Sequence, residues 1–111
     1  MANWENMLED DESNFVDPKF EDIQSLFLTG KIKKMYQLVK RSPTKIAELL
    51  GINYDSYHTK LVSPEKFTTL HINTMAYVFK IDPNIIYDII QKETLEKVLL
   101  KVKSYETKMK K

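Results

Sequence analysis

SPTKIAELLGINYDSYHTKL, residues 42–61, reads as two short helices folded about a tight turn. Ser42 is placed to cap the first helix, and Pro43 suits its first helical position, where an N–H would go unused. Ile46, Ala47, Leu49 and Leu50 give that helix an apolar side. Gly51 follows the last apolar residue, where a residue without a Cβ easily reaches a left-handed backbone. Ile52 dips back towards the core. Asn53 can cap a second helix, Tyr54 to about Val62, whose inward positions are Tyr57 and Leu61.

On the N-terminal side of this pair, the spacing predicts a helix over Lys31–Arg41. Ile32, Met35, Tyr36 and Val39 would face inward, and Lys33, Lys34, Gln37 and Lys40 outward. Before it, Phe20, Ile23 and Phe27 recur at three and four residues, which predicts a short helix over Lys19–Thr29 ended by Gly30. Downstream, Pro64 punctuates a loop and Phe67 reads as a core anchor. Thr68 or Thr69 then caps a helix carrying Ile72, Met75, Ala76 and Phe79. Asp82-Pro83 repeats the cap-plus-proline start, ahead of the apolar set Ile85, Ile86, Ile89 and Ile90.

A second stripe, Leu95, Val98, Leu99, Val102, Tyr105 and Met109, points to nearly the opposite side of the same helical wheel. Either one straight helix offers its own domain one face and something else the other, or the helix breaks near Gln91–Thr94. Both versions leave the stripe needing a cover. A second copy of the chain is the economical one, which makes Leu95, Val98, Leu99, Val102 and Tyr105 dimerisation candidates; the other is the helix Lys19–Thr29. The lysines crowding the end (101, 103, 108, 110 and 111) read as solvating it.

The whole chain, 111 residues with 42% apolar and 30% charged side chains, suits one soluble domain with a modest core. Two glycines and four prolines leave few tight turns, which favours an all-α fold over a sheet. Cysteine is absent, which removes disulfides and thiol chemistry. The apolar runs are too short for a bilayer span and the acidic start is unlike a secretory leader, so the expected location is cytoplasmic. No cofactor, metal or small-molecule ligand is implied. His58 and His71 lack partners at metal-ligand or catalytic spacing, and Gly30 and Gly51 are too few for a phosphate loop, so no enzyme is expected.

The formal net charge of +1 conceals an asymmetry. Residues 1–22 carry eight carboxylates against a single lysine, whereas residues 23–111 carry sixteen bases against eight acids. A basic body is the footprint of a phosphate-backbone binder, and an acidic arm is its natural internal competitor. Residues 1–18 are expected to form a largely mobile acidic arm. Its Trp4, Met7, Leu8, Phe15 and Val16 could instead anchor it on the body. Residues 19–93 would then be the domain proper, and 94–111 an amphipathic C-terminal helix.

Ala47 inside the first helix of the pair, Gly51 four residues on, Ile52 after it and a large residue at Tyr57 resemble the helix-turn-helix of the lambda-repressor-like (Cro and phage repressor) family. The resemblance runs from about Ile32 to Ile90, because the flanking helices also fit that five-helix domain. It implies a lambda-repressor-like fold with an extra N-terminal helix and a long C-terminal one, in which Lys31–Arg41 is the first family helix. Two departures stand out: Pro43 sits where the family often has a backbone-touching glutamine, and Lys60 stands where it usually has an apolar residue.

The resemblance implies a DNA-binding transcriptional regulator, bacterial or phage-like, whose helix 54–62 enters the major groove of double-stranded DNA. Base-contact candidates are Asn53, Tyr54, Asp55, Ser56, His58 and Thr59, the last five falling where family members touch bases. Asn53 and Ser56 both donate and accept, and Asp55 can accept from a cytosine amino group or simply favour a helix N-terminus. Phosphate-contact candidates are Arg41, Thr44, Lys45, Lys60 and Lys66, with Arg41 first of all a favourable charge at a helix C-terminus. Such proteins commonly read two half-sites as dimers. The recognition helix carries no arginine, the side chain best suited to guanine. Pro43 and Asp55 keep open another reading, a protein-interaction adaptor that does not bind DNA. A third, the antidote half of a toxin–antitoxin pair, would need a second chain.

Overall fold

Phe20, Ile23 and Phe27, spaced three and four residues apart, are all buried in the folded chain, the two phenylalanines against Phe79. The Phe20 ring meets Phe79 edge-on at 5.3 Å and the Phe27 ring stacks on it at 5.9 Å. The structure is a computed structural model, and it describes residues 18–109. The acidic arm expected at residues 1–18 therefore lies outside the described residues, save for Pro18. Within them the chain is all-α, with five helices and no strand. These are α1 (Glu21–Leu28), α2 (Pro43–Leu50), α3 (Tyr54–Val62), α4 (Thr69–Phe79) and α5 (Pro83–Met109), with short 3-10 turns at Pro18–Phe20, Met35–Leu38 and Pro64–Lys66.

Three of these helices stop in the same way. After α1, the Lys31 N–H donates to the Leu26 carbonyl (2.9 Å) and Gly30 N–H to Phe27 (3.1 Å). After α2, Ile52 and Gly51 repeat the pair on Ala47 and Glu48, and after α4, Ile81 and Lys80 repeat it on Ala76 and Tyr77. Each stop needs one left-handed residue, at Gly30 (φ 73°), Gly51 (φ 72°) and Lys80 (φ 57°). At the third, a lysine occupies the position at a cost of about 1 kcal/mol relative to glycine. At the second and third stops the residue that follows returns to the interior: Ile52 packs against the core and Ile81 is buried, whereas Lys31 after the first is exposed.

The helix expected over Lys31–Arg41 is not formed. Lys34 is extended (φ −140°, ψ 141°), and only Met35–Leu38 turns, as a 3-10 helix. The Gln37 side chain explains the difference. Its Oε1 accepts from the N–H groups of Lys33 (2.7 Å) and Lys34 (2.9 Å), and its Nε2 donates to the Lys31 carbonyl (3.1 Å). Met35 N–H is taken by Glu93 Oε1 from α5 at 2.9 Å. The facing changes with it. In a 3-10 turn residues three apart eclipse, so Met35 and Leu38 go inward and Tyr36, expected inside, is exposed.

Ser42 also departs from expectation. It adopts a left-handed backbone (φ 49°) and its side chain makes no capping bond to α2; its carbonyl accepts from Ile46 N–H instead. The other caps form as read. Asn53 accepts from Ser56 N–H (2.7 Å), Thr68 from His71 N–H (3.1 Å) and Asp82 from Asn84 N–H (2.8 Å).

With no glycine or proline after Pro83, α5 runs unbroken to Met109, and the break near Gln91–Thr94 does not occur. Thr94 turns its hydroxyl back onto the Ile90 carbonyl (2.7 Å) rather than capping a new segment. Pro83 and Ile86 are buried, and Ile85, Tyr87, Ile89 and Ile90 pack against the core. From Leu95 to Met109 every residue is exposed, so the second stripe does not fold back on α1.

Candidate nucleic-acid interface

The pair α2–α3 is joined by Gly51, Ile52 and Asn53, and its close approach is permitted by Ala47, which is buried. Tyr57 and Leu61 fix α3 to the body, both essentially without solvent contact. At 100° per residue, the side of α3 opposite that buried pair carries Asp55 and Thr59, with Ser56 and Val62 beside them. Asp55, Thr59 and Val62 are exposed. Asn53 is exposed too, but its amide oxygen is committed to the cap on Ser56.

Tyr54 and His58 form one edge of this face. Tyr54 is 44% exposed. His58 is half-buried, with the Tyr54 ring stacked at 6.2 Å and the Tyr36 ring edge-on at 5.7 Å. Three rings thus stand in a row beside the outward surface of α3. Next to them an open groove of about 470 Å³ runs between Tyr36, Val62, Pro64 and Glu93, with Lys34 and Lys97 at its walls.

The cations divide into engaged and outlying groups. Arg41 is ion-paired with Asp22 on α1, so its charge is partly met within the protein. Lys60 donates from Nζ to the Lys66 carbonyl at 3.1 Å, which holds it along the other edge of α3. Lys66 itself is exposed. Lys45 and Thr44 lie in the first turn of α2, Thr44 exposed and the Lys45 ammonium 5.6 Å from the Phe20 ring centre. Lys97 is paired with Glu65 (2.9 Å), and the bond holds the Glu65 carboxyl below its usual pKa.

The structure therefore gathers Asn53, Tyr54, Asp55, Ser56, His58, Thr59 and Lys60 onto one short helix and its edges, and leaves Arg41 engaged elsewhere. Sequence reasoning missed Tyr36 and Lys34. Their approach to α3 depends on the turn at Met35–Leu38, for which the apolar spacing gave no signal. Among the described residues, no group of His, Asp or Glu could hold a metal ion, and no helix is long and apolar enough to cross a membrane.

The fold of the described residues is all-α, built of five helices about one core. No family model, curated protein or solved structure matches the chain.

Proposed function

We propose that this protein binds double-stranded DNA as a transcriptional regulator of helix-turn-helix type, with α3 as the helix that enters the major groove. The observation that carries the proposal is the presentation of α3. It is short, capped at Asn53, anchored by two buried residues, and open on the side holding Asp55 and Thr59. A helix so held can meet base edges with its N-terminal half without disturbing the core. Ser56, Thr59 and His58 bring donors and acceptors, and Asp55 favours a cytosine amino group. Lys60, Lys66, Lys45 and Thr44 flank the pair as phosphate contacts, and Lys34 joins them from the neighbouring turn. The lambda-repressor-like arrangement and the pairing of two copies belong to the same proposal.

The adaptor reading draws on a different feature, the row Tyr36–His58–Tyr54 bordering Asp55, which would suit a basic, partly apolar protein segment. Titrating the full chain into mixed-sequence duplex across a salt series separates the two. DNA binding predicts steep loss of affinity with salt, through release of condensed cations. Substituting Lys45 and Lys60 by alanine should each flatten the log–log slope by roughly one unit. Binding that is absent, or indifferent to salt and to both substitutions, would overturn the DNA reading.

A further inference from the structure

Beyond Thr94 every residue of α5 to Met109 is exposed, although Lys97 still reaches Glu65 on the body, and most of its apolar residues, Leu99 and Leu100 apart, have a regular order. Leu95, Val98, Val102, Tyr105 and Met109 are separated by three, four, three and four residues. That is the a/d repeat of a two-stranded coiled coil, narrower than the broad stripe with which a helix beds onto its own domain. Continued towards the N-terminus, the same repeat falls on Gln91 and Asp88, both polar and exposed. The seam thus begins where the packing of α5 onto the core has ended.

The charges flanking the seam set the direction of pairing. With Leu95 at a, the g positions are Lys101 and Lys108, and the e positions are Leu99 and Glu106. In a parallel, in-register pair, each g residue faces the e residue five places further along the other strand. Lys101 of each copy then meets Glu106 of the other, twice by symmetry. An antiparallel pair sets g against g and e against e, which places lysine opposite lysine and leaves Glu106 against Leu99. We infer that Leu95–Met109 pairs with the same segment of a second copy as a short parallel coiled coil, registered by reciprocal Lys101–Glu106 contacts. The second copy, and not a lipid surface, fits this face because Glu96, Lys97, Lys103, Ser104 and Thr107 hold the back of the seam, with Leu100 alone apolar there and Leu99 widening the seam at its first e position.

The inference gives a direction and a register to the pairing within the DNA proposal, and it stands without DNA. Sedimentation velocity of the full chain over a concentration series tests it. The protein should associate to a dimer; Lys101→Glu alone and Glu106→Lys alone should each weaken the dimer about tenfold, since two attractive contacts become repulsive. An equimolar mixture of the two variants should recover wild-type affinity as a heterodimer. Both positions are exposed, so the thermal unfolding of the body should be unchanged. A Lys101→Glu protein that dimerises more tightly than wild type would mean antiparallel pairing. A wild-type chain that stays monomeric, or a dimer indifferent to both substitutions and to Val102→Asp, would overturn the assignment altogether. Salt-dependent DNA binding by a monomer would sink this inference and spare the functional one.

Discussion

Tyr57 is fully buried, and its hydroxyl has no hydrogen-bond partner among the described residues. Burial pushes its phenol pKa well above the ordinary value, because the charged form would have to sit in the core. A desolvated hydroxyl without a partner costs more than it returns, so Tyr57→Phe should raise stability by about 1 kcal/mol. An upward shift of the urea midpoint at constant m-value would register the gain; a fall of similar size would show that the hydroxyl is satisfied after all. His71 offers a pH-dependent counterpart. Its Nδ1 accepts from Thr68 N–H (3.2 Å), completing a reciprocal cap. Desolvation first, and then the Lys60 ammonium, lower its pKa in the folded state. The unfolded chain therefore takes up this proton more readily than the folded one. The contribution is whole above the ordinary histidine value of about 6.5, and is lost as pH falls through that value towards the lower folded pKa. His71→Gln keeps an acceptor at the cap but cannot titrate there. Urea midpoints measured from about pH 7.5 down to about pH 5 should fall less for this variant than for the wild type.

At the scale of elements, α2, α3, α4 and the start of α5 were legible because apolar spacing and punctuation agree there. Asn53, Thr68 and Asp82 announce starts, and Gly51 announces a stop. The segment after Gly30 was misread because Ile32, Met35 and Val39 fit a helical period equally well. What decides it is the Gln37 amide folding onto its own backbone and Glu93 reaching Met35 from 58 residues away, and neither leaves a periodic trace. Only the starting side of the candidate site was therefore visible. The outward residues of α3 followed from the cap and the two inward anchors, whereas the Tyr36 ring against His58 required the turn. The Gln37→Ala substitution tests that account. Three side-chain bonds are lost at an exposed site, so stability should drop by about 1 kcal/mol, and the His58 ring protons should shift in NMR spectra as Tyr36 loosens. An unmoved His58 signal would mean that Tyr36 is held by packing alone.

For the whole molecule, the separation of charge along the chain bears on any anionic partner. Among the described residues, carboxylates already match Arg41 (Asp22) and Lys97 (Glu65), so the attraction available to DNA is smaller than the number of bases suggests. The shape is set by one element. Principal extents of 60 × 33 × 25 Å reflect α5, whose 27 residues make a rod about 40 Å long. Its first half rests on α4 and the turn at Pro64–Lys66, and from Leu95 to Met109 every residue is exposed, with Lys97 reaching back to Glu65. A helical segment of that length has little intrinsic persistence in water. Deuterium uptake should consequently rise residue by residue from Thr94 to Met109 in dilute samples, and that gradient should flatten as the protein is concentrated, making the free end a gauge of how crowded the solution is.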